Sequence, residues 1–264
     1  MRSSSHPSTQ SGKALVRRPN SRLPEGIVEH IERVPVDYEL ALNQWGHYVA
    51  LVQRYGWETI EVAPADDCPD SVFVEDTMVV YKNSAMISRP GAASRRLEIA
   101  GAERTIERLG YSIDRIQEPG TLEGGDVLKV GDLIYVGRSA RTNAEGVAQM
   151  RRIFEPLGAR IVEAPVSKVL HLKSAVTALP NGSVIGYLPA LDDVSIFADF
   201  IPVPETSGAH VVLLGDNRLL MAASALKSAE LFAGLGYEPI LVDISEYEKL
   251  EGCVTCLSVR LRGT

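Results

Sequence analysis

Four stretches decide the fold: Arg54-Tyr55-Gly56 running into WETIEVAP (57–64), Arg108-Leu109-Gly110 into YSIDRIQEP (111–119), Pro156-Leu157-Gly158 into ARIVEAP (159–165), and Gly234-Leu235-Gly236 into YEPILVDI (237–244). In each, an amphipathic segment stops on a glycine and a short strand-like run follows. Helices commonly close on a residue with φ > 0, a conformation glycine adopts without a Cβ penalty. The recurrence reads as one supersecondary module used repeatedly.

Working outward, helices are expected over 37–55, 94–109, 143–154 and 224–235, with Ser94 and Asn143 as N-caps. The first has Leu40, Trp45, Tyr48, Leu51 and Val52 near one stripe. Hairpins are expected in TMVVYKNSAMIS (77–88), DVLKVGDLIYVG (126–137), SAVTALPNGSVIGY (174–187) and HVVLLGDNRLLMA (210–222), each turning on Lys-Asn, Gly-Asp, Asn-Gly or Asp-Asn. The cycle is therefore helix, strand, linker, hairpin, helix, an α/β arrangement with helices packed outside small mixed sheets. Gly236 follows Gly158 at a spacing of 78 positions, against 54 from Gly56 to Gly110, so the stretch near 191–207 is read as a module with a degenerate helix. A ring of about five modules is the simplest closure. The domain reading is a flexible tail over 1–20 and one α/β domain over 21–264.

The 264 residues are 45% hydrophobic and 23% charged, with net charge −7 and no basic run, which argues against nucleic acid or an acidic membrane surface as partner. Three cysteines are too few for a disulfide framework and point to a reducing, cytoplasmic setting. The opening MRSSSHPSTQSGK has no apolar core of a secretory signal, and no stretch approaches a membrane span.

The modules also carry chemistry. Glu123 and His171 each stand 13 residues past a helix-ending glycine, and Asp76 and Cys256 each stand 20 past one. Equivalent offsets in modules related by rotation place side chains at equivalent points around the axis. A thiol, an imidazole and two carboxylates would then converge, the usual inventory for nucleophilic catalysis, with Glu123 orienting His171. Glu75 and Asp76 follow Val72-Phe73-Val74, read as a buried strand, and with Asp70 they call for a cation. Arg95 and Arg141 each follow a hairpin, and paired guanidinium forks suit a carboxylate. An arginine-like amino acid, cationic at one end and anionic at the other, fits both halves. Arg89, Arg96 and Arg138 are read as capping or surface groups. Cys253 and Cys256 make a C-x-x-C, but LSVRLR (257–262) alternates like a strand where redox use needs a helix, and no second pair completes a zinc site. No metal and no cofactor are expected.

At these residues the chain closely resembles the dimethylarginine dimethylaminohydrolases of the guanidino-modifying superfamily. PDSVFVED (69–76), RPGAASRR (89–96), GTLEGGDV (120–127), SARTNAEG (139–146), VLHLKS (169–174) and GCVTCLS (252–258) carry the resemblance, in family order over nearly the whole chain. It implies a five-bladed α/β propeller, the pentein fold, and conversion of Nω-methylated arginines to citrulline plus methylamine or dimethylamine. It implies Cys256 as nucleophile, His171 as acid/base and Glu123 as its orienter. Glu75 and Asp76 would grip the guanidinium, Asp70 would help bind substrate, Arg95 and Arg141 would hold the α-carboxylate, and the Leu250 main-chain carbonyl would contact substrate. An N-terminal flap would contribute a leucine backbone contact, which is not assigned to one residue within 23–36. The thiol of Cys256 should ionise mainly when a cationic substrate offsets Asp76 and Glu123. The alternatives are an arginine deiminase-type hydrolase releasing ammonia and, in another class, a non-catalytic propeller that only binds. A homodimer is left open.

Overall fold

The computed structural model describes residues 12–262, which form five three-stranded sheets arranged in a ring. The strands are β1 (Gly12–Val16), β2 (Glu58–Glu61), β3 (Met78–Tyr81), β4 (Ser84–Ile87), β5 (Ser112–Arg115), β6 (Val127–Val130), β7 (Leu133–Arg138) and β8 (Arg160–Pro165). They continue as β9 (Val176–Ala178), β10 (Val184–Gly186), β11 (Phe200–Pro202), β12 (Val212–Gly215), β13 (Arg218–Ala222), β14 (Glu238–Val242) and β15 (Val259–Arg262). The α-helices are α1 (Tyr38–Arg54), α2 (Ile99–Arg108), α3 (Ala144–Phe154), α4 (Leu226–Gly234) and α5 (Ser245–Glu248).

Every sheet follows one rule: an antiparallel pair, then a third strand added parallel to its second member after a crossover. The orders are β3-β4-β5, β6-β7-β8, β9-β10-β11, β12-β13-β14 and β15-β1-β2. α1 to α4 supply four crossovers, and Gly56, Gly110, Gly158 and Gly236 end them at φ of 88°, 84°, 96° and 89°. The shared dipeptide chemistry at the module joints is thus the left-handed turn that reverses the chain into β2, β5, β8 and β14. The fifth crossover, from β10 to β11, has only a short 3-10 turn at Leu188–Ala190, the degenerate helix anticipated there. Of the expected caps, Asn143 accepts from the Gly146 amide at 2.8 Å, whereas Ser94 lies inside a 3-10 turn, Ala93–Glu98, that precedes α2.

The flexible reading of 1–20 fails over its described part. Gly12–Val16 is the central strand of the closing sheet, bonded to β15 on one side and β2 on the other. Arg17 is fully buried, donating to the carbonyls of Ala63, Ser71 and Glu98. The partner β15 lies at the other end of the chain, so nothing local in sequence could reveal the pairing. Residues 1–11 lie outside the described residues. No described helix is long and apolar enough to cross a membrane.

The first strands of the five sheets, β3, β6, β9, β12 and β15, line a central channel of about 670 Å³. Between sheets and outer helices lie apolar clusters, such as Val79, Met86, Ile134, Val147, Met150 and Phe154 under α3. Two tyrosines tie α1 to the segment that holds Cys256. Tyr48 donates to the Val254 carbonyl at 3.0 Å and lies 2.7 Å from Ser258 Oγ, and the Tyr247 hydroxyl donates to the Ala41 carbonyl at 2.7 Å.

Candidate active site

The loops leading into the inner strands carry the chemistry. Asp76 lies in a 3-10 turn before β3, Glu123 caps the turn before β6, His171 caps the turn before β9, and Cys256 lies in the turns before β15. The matching offsets found in sequence are therefore matching places at one end of the ring. His171 Nε2 is 2.8 Å from Glu123 Oε2, and its Nδ1 is 3.9 Å from Asp76 Oδ1. Residues 253–256 dock beside them: the Glu75 amide donates to the Cys256 carbonyl at 3.2 Å, and Thr255 Oγ1 donates to Glu75 Oε2 at 2.9 Å.

Val72-Phe73-Val74 is not the strand expected but part of two consecutive 3-10 turns, Pro69–Val72 and Val74–Thr77. The turns bury Asp70, Glu75 and Asp76 all the same, because they point their side chains inward at the ring end. Close approach here requires glycine. A Cβ on Gly125 would stand 2.5 Å from His171 Nδ1 and 2.7 Å from Asp76 Oδ1, and the Gly125 amide donates to that oxygen at 2.8 Å.

Electrostatics set the protonation. Burial alone would depress the His171 pKa, but Asp76 and the bond to Glu123 outweigh it and bring it up to about 9. Burial likewise opposes ionisation of Glu123, yet the His171 bond, with Arg95 and Arg141, holds its pKa down to about 2. The resting pair is imidazolium and carboxylate, an acid ready to donate. Replacing Glu123 with Gln is expected to move the alkaline limb of the rate profile to lower pH by about 1 to 2 units, since one of the groups raising His171 is gone. A profile of kcat against pH checks this, and an unmoved limb would mean that the Glu123 carboxylate does not set the proton affinity of His171.

Asp76, Glu123 and His171 bring possible ligating atoms within 4.8 Å of one another. Their charge already meets a guanidinium, however: Arg95 Nη1 is 2.7 Å from Asp76 and 3.7 Å from Glu123. Arg95 also grips Glu98 through both Nε, at 3.0 Å, and Nη2, at 2.9 Å. Arg95, expected at the substrate carboxylate, holds Asp76 in place here. Glu75 is paired as well. Its carboxylate faces the channel, bonded to Lys173 at 2.6 Å and Arg260 at 3.0 Å, so two cations balance it before any substrate arrives.

Arg141 also meets acids of this chain. Its Nη1 reaches both oxygens of Glu123 at 3.4 Å, and its Nη2 holds the carboxylate of Glu29 at 2.9 Å. Glu29 belongs to a loop pinned over the site, where the Ile27 amide donates to Asp70 Oδ1 at 3.0 Å and the His30 amide to Glu251 at 3.0 Å. Leu250 is buried beside that loop, where a side chain at Gly26 would meet both it and Asp70.

Sequence reading missed Asp126, which is fully buried. Its Oδ2 accepts from Ser139 and Thr142 Oγ1, each at 2.6 Å, and its Oδ1 accepts from the Leu172 amide at 2.9 Å. One carboxylate thereby ties the loop of Arg141 to the residue after His171. Its signal was present in LEGGDV, three residues beyond Glu123, but a carboxylate bonded only to neighbouring loops has no chemistry to announce it.

No family model matches the chain. Among curated proteins it is 69% identical over 252 residues to the N(G),N(G)-dimethylarginine dimethylaminohydrolase of Streptomyces coelicolor, covering 96% of this chain and 98% of that one. The chain belongs to the dimethylarginine dimethylaminohydrolase family. The Pseudomonas aeruginosa protein of the same name is 37% identical, over 93% of this chain and 98% of its own. A solved structure of a cysteine-to-serine mutant of the Pseudomonas aeruginosa enzyme, complexed with citrulline, superposes with a TM-score of 0.89 at 35% identity, covering 96% of this chain and all of that one. The five-sheet ring is the pentein fold of this family, and the chain is a hydrolase acting on guanidino C–N bonds.

Proposed function

We propose that this protein hydrolyses Nω-methylated arginines, asymmetric dimethylarginine and monomethylarginine, to citrulline with release of dimethylamine or methylamine. One observation carries the assignment of roles: His171 clamped between Glu123 and Asp76 at the ring end where the Cys256 loop docks. A guanidinium is a poor electrophile until carboxylates fix and polarise it. Asp76 holds the cation of the substrate, and Cys256 sulfur attacks the central carbon as a thiolate. The C–S bond forms, the C–N bond to the substituted nitrogen breaks, and His171 delivers a proton to the departing amine. Neutral His171 then takes a proton from water, whose oxygen attacks the S-alkylthiouronium carbon; the C–S bond breaks to return the Cys256 thiolate, and the remaining hydroxyl proton passes to solvent as the carbonyl of citrulline forms.

In the empty site the Cys256 thiol is held well above its ordinary pKa, first by the hydrogen bond it shares with Cys253, then by burial and the nearby Glu75 and Asp76. Substrate charge offsets the two acids, which supports ionisation on binding. At the other end of the substrate, Arg141 receives the α-carboxylate where it now holds Glu29, and Asp70 and the Leu250 carbonyl face the α-amino end.

Because Glu29 occupies Arg141, it competes with the substrate carboxylate. Glu29→Gln is expected to lower KM about twofold to fivefold with kcat little changed, the size of a partly exposed ion pair. Initial-rate kinetics decide it, and a raised KM would show that Glu29 assists binding instead. The function as a whole is tested by incubating the purified protein with asymmetric dimethylarginine and assaying citrulline and dimethylamine. Preferred turnover of unmethylated arginine with release of ammonia would overturn the substrate assignment.

A further inference from the structure

Behind the catalytic end of the ring lie charges that the proposed reaction does not use. A strand turns successive side chains to opposite faces, so Lys129 of β6 and both Arg260 and Arg262 of β15 reach the central channel. Lys173 joins them at the end nearest His171. Among the described residues of the channel wall, the acids are Glu75 and Asp216. Glu75 is shared by Lys173 and Arg260, and Asp216 is held by Arg218 at 3.1 Å. No described carboxylate pairs with Lys129 or Arg262. Lys129 donates to the Val80 carbonyl, and the Arg262 guanidinium lies over the Trp57 ring, 5.8 Å from its centre. Glu75 alone thus serves four cations, in a chain whose net charge is −7.

We propose that the central channel binds a small multivalent oxyanion, a phosphate or a polycarboxylate, held by Lys129 and Arg262 and steadied at its inner end by Lys173 and Arg260. This site is separate from the one assigned to methylated arginine and does not depend on that assignment.

Size permits such a ligand. Small-molecule pockets run from about 300 to 1,000 Å³, and the channel, at about 670 Å³, falls within that span. Packing gives no reason for the charges, since an enclosed cation without an anionic partner costs stability that an apolar side chain would not. The cations also oppose one another. Burial, then Lys173, Arg262 and Arg260, bring the Lys129 pKa down to about 7, and the opposing pull of Glu75 is smaller than each of these. Arg262 is brought down as well, to about 10, by burial and by Arg260. The faces that β3, β9 and β12 turn to the channel are uncharged up to the turn at Asp216. An anion placed among these groups relieves their repulsion, and the enclosed surroundings that penalise each lone charge strengthen its attraction. Oxyanion oxygens suit the guanidinium fork of Arg262 and the point charge of Lys129 together. The same field disfavours a methylated arginine, whose guanidinium and ammonium outnumber its carboxylate.

Calorimetric titration of the purified chain with sulfate and with citrate tests the site. Sulfate stands for a tetrahedral phosphate and citrate for a polycarboxylate, and both keep their charge between about pH 7 and 8.5. The expected result is one ion per chain with Kd below about 1 mM for at least one of them; the tighter of the two names the preferred oxygen chemistry. Affinity should fall about tenfold across that pH range, because the anion favours the charged form of Lys129, which the unliganded channel loses as pH rises through about 7. Lys129→Gln is expected to weaken binding about tenfold and to flatten its pH dependence, and Arg262→Gln to weaken it by a similar factor. Kd above about 1 mM for both ions, or an affinity that both variants leave unchanged, overturns the proposal. An affinity in the wild type that is flat with pH overturns it as well, since Lys129 would then lie outside the site. Should one variant not fold, the other and the wild-type pH series decide.

Discussion

Cys256→Ser is expected to lower kcat by roughly 10⁴-fold or more while leaving ligand affinity within a few-fold. A serine hydroxyl in this pocket has no ionised form to offer, whereas the thiol loses its proton once a cation arrives beside Asp76. At 1.36 kcal/mol per factor of ten, the loss amounts to about 5.4 kcal/mol of transition-state stabilisation. Affinity survives because the groups that hold the substrate, Asp76 and Arg141, are untouched and stay anchored by Arg95 and Glu123. Steady-state kinetics with calorimetric titration of citrulline separate the two effects. Acid-quenched samples should carry a covalent adduct in the wild type and none in the variant. Turnover within tenfold of wild type would remove Cys256 from the chemistry.

His171→Ala is the second large effect, a loss of about 10²- to 10⁴-fold in kcat, the span of a positioned general acid and base. An alkylamine cannot leave as an anion, so without the imidazolium the C–N bond stays closed even when sulfur has attacked. The proton is available up to about pH 9, where the imidazolium gives it up, so wild-type turnover should fall as pH rises through that value. A substrate analogue whose leaving group is a thiol needs no such proton. With it, His171→Ala should still form the covalent adduct and then stall, because activation of water is lost as well. Hydrolysis of that adduct at the wild-type rate would show that another group handles the water. Glu123, left without His171, keeps its bonds to the Gly91 amide and Arg141, so the variant should retain its fold.

Much of the ring was legible before any coordinates. The hairpins turn on the residues read as turns, with Lys82, Asp216 and Asn217 at positive φ, and glycine ends every α-helical crossover that leads into the third strand of a sheet. The common offsets of Glu123 with His171, and of Asp76 with Cys256, anticipated their meeting at one end of the ring, because repeated modules repeat geometry as well as pattern. The errors have a shared origin. β1 was read as tail because its partner β15 lies near the opposite terminus, and pairing across that distance leaves no periodic trace in a five-residue strand. Val72-Phe73-Val74 was read as strand because an apolar run buried in 3-10 turns looks the same in one dimension. Glu75 and Arg95 were assigned to substrate from their types, and nothing in one dimension showed that they also pair with Lys173, Arg260 and Glu98.

By itself, then, the amino-acid sequence determined the module, its turns, its number of repeats and the chemical groups brought to the site. These follow from contacts between residues near one another in the chain, which backbone sterics and hydrophobic period record locally. Only the tertiary structure decided how the ring closes through β15 and β1, which buried charges neutralise one another, and that Cys253 touches Cys256. Charge compensation and sulfur contact depend on distances of a few ångströms between groups up to 185 positions apart, as for Glu75 and Arg260, and at that separation only the folded chain sets the distance.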